Sequence, residues 1–221
     1  MKLIREALMK FTCGLLLVGL LIFLPAGSFA YTYGWLFVGL LFAPMLIAGF
    51  VMLYKAPELL KKRLDGKEKQ GTQKGVVALS GLMFVAGFVV AGLDFRFGWS
   101  DMPAWVVITA SVLFLIAYAL YAEVMRENAY LSRTIKVEAG QTVVDTGMYG
   151  IVRHPMYAVT LLLFSMIPLV LGSWYALIAF AFYPVIITVR LLDEEKLLTR
   201  ELPGYAEYKK KVKYRLIPFV W

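Results

Sequence analysis

Four stretches without a single charged residue constrain the fold of this chain more than any other feature of its sequence. They cover Phe11–Phe29, Tyr33–Tyr54, Gly75–Leu93 and Met102–Ala122. Each is close to the roughly 20 residues that an α-helix needs to cross a hydrocarbon layer about 30 Å thick. Because a backbone inside a bilayer must satisfy its own hydrogen bonds, such stretches predict transmembrane helices. The sequence therefore predicts an all-α, polytopic transmembrane helical bundle.

A fifth uncharged stretch, Pro155–Val189, is too long for one crossing. As a single helix it would extend about 52 Å, whereas one span needs roughly 30 Å. We expect it to fold back as a helical hairpin of two rather short spans. The turn is predicted at Gly172-Ser173, since glycine relieves the backbone there and Trp174 can lie at the interface. This gives about six spans in one integral membrane domain, residues 1–221.

Composition supports a membrane protein and removes several classes of function. Hydrophobic residues make up 61% of the chain and charged residues only 17%, which is outside the usual range of soluble domains. A single cysteine, Cys13, and a single histidine, His154, leave too few ligands for a zinc or iron site, so we expect no metal. The net charge of +8 is spread between apolar segments. Anionic lipid, and not nucleic acid, is therefore the expected partner.

The distribution of lysine and arginine predicts the orientation of the chain. With six spans, all of these residues except Arg96 fall on the same side of the membrane as the two termini. Because basic loops stay in the cytoplasm, both termini are predicted to be cytoplasmic, and we take the membrane to be a prokaryotic plasma membrane. The first helix resembles a signal peptide, but its apolar run is long, so we expect it to be retained. The loop from Lys55 to Lys74 is expected to be a solvated connector.

A polar segment leads into the hairpin and ends in Arg153-His154-Pro155-Met156-Tyr157. Proline suits the first turn of a helix, where its missing N–H would be unpaired in any case. His154 is therefore expected at the membrane surface, directly before a helix. A plain structural role also fits these residues, with Arg153 as an anchoring charge and Tyr157 as an interfacial aromatic residue.

A second polar cluster follows the hairpin and includes Arg190 and Glu194. Because they are four residues apart on a helix, an ordinary ion pair would explain them. An ionisable residue that directly follows an apolar span is nevertheless a candidate for function, since it is costly there. A hairpin returns to the side that it left, so this cluster and the His154–Tyr157 segment are predicted to lie close together.

Three sequence blocks follow one another in this half of the chain. The first is Gln-x-Val-Val-x-x-Gly-x-Tyr-x-x-x-Arg-His-Pro-x-Tyr at 141–157, the second is Arg-x-x-x-Glu-Glu-x-x-Leu at 190–198, and the third is Pro-Gly-Tyr-x-x-Tyr at 203–208. Their order around an apolar hairpin resembles the isoprenylcysteine carboxyl methyltransferase family and its phospholipid methyltransferase relatives. The resemblance covers about Gln141–Trp221 and implies methyl transfer that depends on S-adenosylmethionine.

The resemblance implies a cytoplasmic pocket for S-adenosylmethionine and its product S-adenosylhomocysteine. The residues that it assigns to this pocket are Gln141, Thr142, Val143, Val144, Tyr149, His154, Pro155, Met156, Tyr157 and Glu194. Arg190 would face the methyl acceptor and form the catalytic pair with Glu194. The family often has histidine where this chain has Gln141, whose amide can still hydrogen-bond a cofactor. The four spans in 1–127 match no motif, whereas 128–221 would hold the cofactor-binding loop, the hairpin and a basic C-terminal segment.

The chemistry of S-adenosylmethionine suggests roles for these side chains. Glu194 can accept hydrogen bonds from its amine, and His154 can donate to its carboxylate. Tyr149 or Tyr157 can lie against the adenine or the sulfonium. These assignments are hypotheses that depend on the resemblance.

The acceptor is expected to be lipophilic and to enter from the bilayer. A carboxylate could be held bidentately by Arg190, whereas a phospholipid amine would need a proton sink such as Glu195. A nicotinamide-dependent reductase of membrane lipids and a non-enzymatic membrane scaffold remain as alternatives. The basic segment from Tyr205 onward is expected at the interface, either as a lid or as a lipid anchor. The sequence leaves the oligomeric state open.

Overall fold

The computed structural model describes residues 2–66, 71–132, 134–135 and 137–221, and the regular secondary structure within these ranges is helical. A short 3₁₀ turn covers Gly147–Gly150. The α-helices are α1 (Lys2–Ala26), α2 (Thr32–Lys55), α3 (Pro57–Leu64), α4 (Gly71–Phe97), α5 (Ala104–Glu127), α6 (Pro155–Val170), α7 (Trp174–Phe180), α8 (Tyr183–Glu201) and α9 (Tyr205–Lys211). The predicted all-α helical bundle is confirmed.

Among the described residues, five helices are long and apolar enough to cross a membrane, when α7 and α8 are taken together as Trp174–Glu201. The shorter apolar helix α6 has 16 residues and extends about 24 Å. Large apolar side chains, including Leu24, Ile47 and Ile178, are exposed on the outside of the bundle. An exterior of this kind suits lipid and not water. The chain is therefore an integral membrane protein.

The bundle is held together by close helix contacts and by aromatic packing. A Cβ atom at Gly92 of α4 would lie only 2.4 Å from the carbonyl oxygen of Ile22 in α1, so glycine permits the two backbones to approach. Phe37 of α2 and Phe114 of α5 are fully buried, with ring centroids 6.0 Å apart. These contacts fix the scaffold from which the polar end of the bundle projects.

The hairpin turns at the predicted position. Gly172 has a φ of +69°, a left-handed conformation that favours glycine. Ser173 follows as the N-cap of α7 and accepts a hydrogen bond from Ala176 N at 3.0 Å. Its hydroxyl donates to Asp94 of α4, which also accepts from Ser100 N at 2.7 Å. The turn is thereby tied to the same end of the bundle as the α4–α5 connection.

The returning arm of the hairpin is interrupted between α7 and α8. Pro184 lies in the first turn of α8 and has no N–H to donate to the preceding turn. The helix therefore restarts at Tyr183 and continues through the polar cluster that contains Arg190 and Glu194.

The segment after Lys55 is not the solvated connector that the sequence predicted, although 67–70 of it lie outside the described residues. It forms α3, in which Leu60 is buried. Lys62 donates to the carbonyl of Ala129 at 3.2 Å and pairs with Glu138 at 2.6 Å. Lys62 of α3 thus supports the loop that follows α5, in addition to any effect on orientation.

Candidate functional site

A cavity opens at the end of the bundle where α5 and α8 finish and α6 begins. We call this the basic end, because Arg126, Arg153 and Arg190 lie there. The empty space between its walls is about 830 Å³ when the open solvent at its mouth is included. Its lining residues are Asn128, Tyr130, Leu131, Ser132, Thr134, Ile135, Gln141, Thr142, Val143, Val144, Tyr149, Arg153, His154, Met156, Tyr157, Arg190, Glu194, Leu198, Leu202, Tyr205 and Tyr208.

The structure brings the sequence-predicted residues together in this wall, with one exception. All of the predicted cofactor residues other than Pro155 line the cavity, and so does Arg190, the predicted acceptor residue. Pro155 is fully buried as the first residue of α6. Its contribution is to begin the helix that carries Met156 and Tyr157 into the wall.

The start of α6 is joined to the C-terminal segment through the backbone. The carbonyl of His154 accepts hydrogen bonds from Tyr157 N and Ala158 N, both at 3.1 Å, so the helix begins there. The N–H groups of Arg153 and His154 donate to the carbonyls of Tyr214 and Arg215, both at 2.9 Å. The C-terminal segment is therefore part of the site and not a separate tail.

Glu195 lies at the centre of a buried ion cluster behind the cavity wall. Its carboxylate lies 2.6 Å from Arg153 Nε, 3.0 Å from Arg215 Nε and 3.3 Å from His154 Nε2. The Arg153 guanidinium also donates to the carbonyls of 212–213, at 2.9 and 2.8 Å. Because Glu195 is enclosed by three basic side chains and does not line the cavity, its geometry does not support the expected role as a proton sink.

A second polar network runs along the cavity wall and into α4. The Tyr157 hydroxyl donates to Glu194 and accepts from Arg190 Nε at 3.2 Å. Arg190 Nη1 donates to Gln73 Oε1 at 3.2 Å, and Gln73 Nε2 donates to Asp193 Oδ2 at 2.6 Å. The predicted pair Arg190 and Glu194 is therefore linked by hydrogen bonds to the same hydroxyl, that of Tyr157 in α6.

Tyrosines form much of the remaining polar wall. The Tyr149 hydroxyl accepts from Asn128 Nδ2 at 3.0 Å, and the Tyr208 hydroxyl donates to the Tyr149 carbonyl at 2.7 Å. Burial raises the pKa of Tyr149 well above its ordinary value, so its hydroxyl is neutral and retains a proton to donate. At the rim, a hydrogen bond from Lys211 at 2.6 Å lowers the pKa of the exposed Asp145 carboxyl.

Tyr205 lines the cavity, and its hydroxyl is buried. Its side chain is 3% exposed, and its oxygen has no hydrogen-bond partner among the described residues. Burial raises the pKa of this hydroxyl, so it too is a neutral donor. A buried polar group without a partner costs about 1–3 kcal/mol, which a molecule bound in the cavity can recover by supplying the partner.

Sequence reasoning did not assign Gln73 or Tyr205 to the site. Gln73 lies in the segment that was expected to be a solvated connector, and an uncharged glutamine next to an apolar span was the available signal. Tyr205 belongs to the Pro-Gly-Tyr block that the resemblance includes, but the sequence did not distinguish a cavity wall from a lipid anchor.

Comparison with known proteins identifies the part of the chain that carries most of this wall. Residues 105–200 match the isoprenylcysteine carboxyl methyltransferase (ICMT) family. We call residues 105–200 the ICMT segment, after the family that they resemble. The resemblance predicted from the sequence blocks is confirmed for the first two, at 141–157 and 190–198, whereas the third, at 203–208, lies outside the matched residues. The ICMT segment includes the Glu194–Tyr157–Arg190 contacts, whereas Gln73 and Tyr205 lie outside it.

Two curated proteins are also similar to this chain. A Delta(14)-sterol reductase of Methylotuvimicrobium alcaliphilum is 28% identical over 143 residues, which are 55% of this chain and 32% of the reductase. An uncharacterized protein of Bacillus subtilis, YpbQ, is 30% identical over 96 residues, which are 43% of this chain and 57% of that protein. The chain thus spans about a third of one relative and just over half of the other.

Proposed function

We propose that this chain transfers a methyl group from S-adenosylmethionine to a lipophilic acceptor at the cytoplasmic membrane face. The acceptor that we favour is a carboxylate of the isoprenylcysteine type. One observation carries the proposal: the residues that the ICMT resemblance assigns to the cofactor share a cavity with Arg190, whose guanidinium can bind a carboxylate.

The groups in the cavity wall fit the functional groups of S-adenosylmethionine. Glu194 is an acceptor for an amine, and Val143, Leu198 and Leu202 offer apolar surface for an adenine ring. The hydroxyl of Tyr205 has no partner among the described residues, and it can donate to an acceptor such as a carboxylate or ring nitrogen.

His154 can donate to a cofactor carboxylate through only one of its two ring nitrogens. Its Nε2 is directed at Glu195, which can only accept while it is ionised, so Nε2 is the donor in that contact. Donation to a cofactor carboxylate would then fall to Nδ1 and would require the doubly protonated imidazole. Without that second proton, Nδ1 would serve as an acceptor.

The chemistry requires mainly positioning from the protein. S-Adenosylmethionine, when bound, supplies an electrophilic methyl group. Arg190 binds and orients the acceptor carboxylate, while Glu194 anchors the cofactor and Tyr157 links the two side chains. A carboxylate acceptor is already ionised, so no protein group needs to remove a proton. For this reason the enclosed position of Glu195 favours O-methylation over N-methylation of a phospholipid amine.

The orientation that we propose follows from charge. The basic end would face the cytoplasm of a prokaryotic cell, where the water-soluble cofactor is available and anionic lipid can pair with exposed lysines of α9. The lipophilic acceptor would enter sideways from the bilayer.

The similarity to a Delta(14)-sterol reductase supports a second candidate, a nicotinamide-dependent reductase of membrane lipids. The two candidates differ in which cofactor fills the cavity. A reductase would oxidise NADPH when it is given a sterol with a Δ14 double bond.

The deciding experiment uses the purified full chain in lipid nanodiscs. We would incubate it with tritiated S-adenosylmethionine and N-acetyl-S-farnesyl-cysteine, and measure label that alkali releases as methanol, which marks a methyl ester and not a methylamine. In parallel, NADPH absorbance would be followed with a Δ14-sterol. Alkali-labile label supports the proposal, alkali-stable label on lipid supports N-methylation, and NADPH oxidation without methyl transfer refutes it.

Two substitutions test the assigned roles of the catalytic pair. Glu194→Gln is expected to weaken S-adenosylmethionine binding by roughly 10- to 100-fold, because it removes a charge-assisted hydrogen bond. Arg190→Ala is expected to leave this affinity within about twofold and to remove turnover, since Arg190 is proposed to hold the acceptor. Calorimetry that finds unchanged cofactor affinity in Glu194→Gln would contradict the assignment.

A further inference from the structure

Gln73 is a fully buried amide side chain at the beginning of α4, outside the ICMT segment. It lies between two side chains of α8: its Nε2 is 2.6 Å from Asp193 Oδ2, and its Oε1 is 3.2 Å from Arg190 Nη1. A fully buried glutamine is uncommon in the interior of a helical bundle, because each of its polar atoms needs a partner. Here both ends of the amide have one.

The partners determine which way the amide points. An ionised aspartate can only accept hydrogen bonds, and a guanidinium can only donate them. The amide nitrogen must therefore face Asp193 and the oxygen must face Arg190. The reverse orientation would place two donors together at Arg190 and two acceptors together at Asp193, so this arrangement has a single stable direction.

This arrangement fixes the guanidinium of Arg190 at two of its nitrogens. Nη1 is held by Gln73, and Nε is held by the hydroxyl of Tyr157. Because the guanidinium group is planar, contacts at two nitrogens from two different helices define its plane. A group that binds a carboxylate bidentately depends on this plane being set before the acceptor arrives.

We propose that Gln73 is a positioning residue that orients Arg190 toward an anionic acceptor, which makes the start of α4 part of the acceptor site. This inference rests on the proposed function and narrows its acceptor to a carboxylate. A neutral amide holds the guanidinium without adding a negative charge beside it. A carboxylate at position 73 would instead compete with an acceptor of the same charge.

The experiment measures acceptor binding separately from turnover. The full-length protein in nanodiscs is titrated with N-acetyl-S-farnesyl-cysteine and, as a matched uncharged probe, with its methyl ester. The variants are Gln73→Met, which keeps the size of the side chain, and Gln73→Glu, which adds the negative charge. Met83→Ala is the control, since Met83 is a residue of the same helix that is buried in the apolar core of the bundle.

Gln73→Met is expected to weaken binding of the acid by roughly tenfold and Gln73→Glu by more, since one oriented hydrogen bond to a charged group is lost or replaced by competition. Binding of the methyl ester is expected to change less than about twofold, and so is the affinity for S-adenosylmethionine. In the methyl transfer assay the loss should appear mainly in the KM for the acid.

Equal loss for the acid and the ester, or an equal loss in Met83→Ala, would overturn the proposal, because either would indicate a general effect on packing. So would unchanged binding of the acid in both Gln73 variants. Selective loss of acid binding in the Gln73 variants of a protein that never methylates the acid would support the positioning role and refute the proposed function. If the rate of methyl transfer to the acid is the same in wild type and in both Gln73 variants, the proposed function is supported and the positioning role is refuted.

Discussion

At the scale of single residues, the site is defined by which polar atoms have partners. The carboxylate of Glu195 is enclosed by Arg153, His154 and Arg215, so it stabilises the wall and is not positioned to act on a ligand. Tyr205 lines the same cavity, and its buried hydroxyl has no hydrogen-bond partner among the described residues. We expect residues of the first kind to maintain the fold and a residue of the second kind to contact a bound ligand.

Tyr205→Phe separates these two contributions. Removing an unpartnered buried hydroxyl is expected to leave the unliganded protein equally stable or to stabilise it by about 1 kcal/mol. The same substitution is expected to weaken S-adenosylmethionine binding by roughly 2- to 10-fold, since the ligand loses a hydrogen bond. Thermal unfolding without ligand and calorimetry with the cofactor measure the two effects.

Tyr208→Phe is the matched control for this prediction. Its hydroxyl donates to the carbonyl of Tyr149 at 2.7 Å, so removing it should destabilise the unliganded protein by about 1 kcal/mol. A stability loss in Tyr205→Phe as large as that in Tyr208→Phe would contradict the view that Tyr205 awaits a ligand.

At the scale of elements, the C-terminal segment completes the cavity. Backbone hydrogen bonds join Tyr214 and Arg215 to the residues before α6, and the side chains of Tyr205 and Tyr208 form part of the wall. The sequence left open whether this segment is a lid or a lipid anchor. In the structure it forms part of the cavity wall. Two lysines of α9, Lys210 and Lys211, are exposed.

Arg215→Ala is expected to loosen this segment by about 1–2 kcal/mol, because it removes a charged hydrogen bond to Glu195. Exchange of the His154 amide hydrogen, which is bonded to the Arg215 carbonyl, should become roughly tenfold faster. Lys211→Ala breaks an exposed ion pair with Asp145 and should change exchange little, since water and salt screen surface pairs. Equal exchange in both variants would show that the buried cluster does not hold the segment.

The crossing of α1 and α4 depends on the lack of a side chain at Gly92. Gly92→Ala is expected to destabilise the protein by about 1–3 kcal/mol, because the new Cβ would meet the backbone of Ile22 and Ala26, which a rotamer change cannot relieve. In the same helix, a Cβ at Gly81 meets nothing within 4 Å. Gly81→Ala should therefore be neutral or stabilising, and thermal unfolding in detergent compares the pair. Equal melting temperatures would argue against a close backbone contact.

At the scale of the whole molecule, the antiparallel bundle separates two polar ends. The basic end holds the cavity, whereas the opposite end holds Arg96 and the buried Asp94 with its serine partners. This separation makes the direction of the chain in the membrane testable.

Accessibility to a membrane-impermeant maleimide tests the orientation. The labelling uses a Cys13→Ser background, which removes the native thiol. Asp101 is exposed, and an Asp101→Cys variant should be labelled in intact cells. Lys213 is also exposed, but a Lys213→Cys variant should be labelled only after the membrane is permeabilised, because basic segments stay in the cytoplasm. The opposite labelling pattern would place the cavity outside and contradict the proposed access of the cofactor.

Sequence alone determined the helical class, the positions of the long apolar helices and the turn at Gly172-Ser173. The reason is that bilayer thickness and the cost of buried charge act on local composition, which can be read along the chain. It also indicated most of the cavity wall, since the 141–157 and 190–198 blocks are brought together by the return of the hairpin. Only the tertiary structure decided that Pro155 lies behind the wall, that Glu195 is enclosed by cations, and that Gln73 reaches Arg190 across 117 positions of the chain. Such contacts depend on how closely helices cross and how side chains interdigitate, and hydropathy does not encode either.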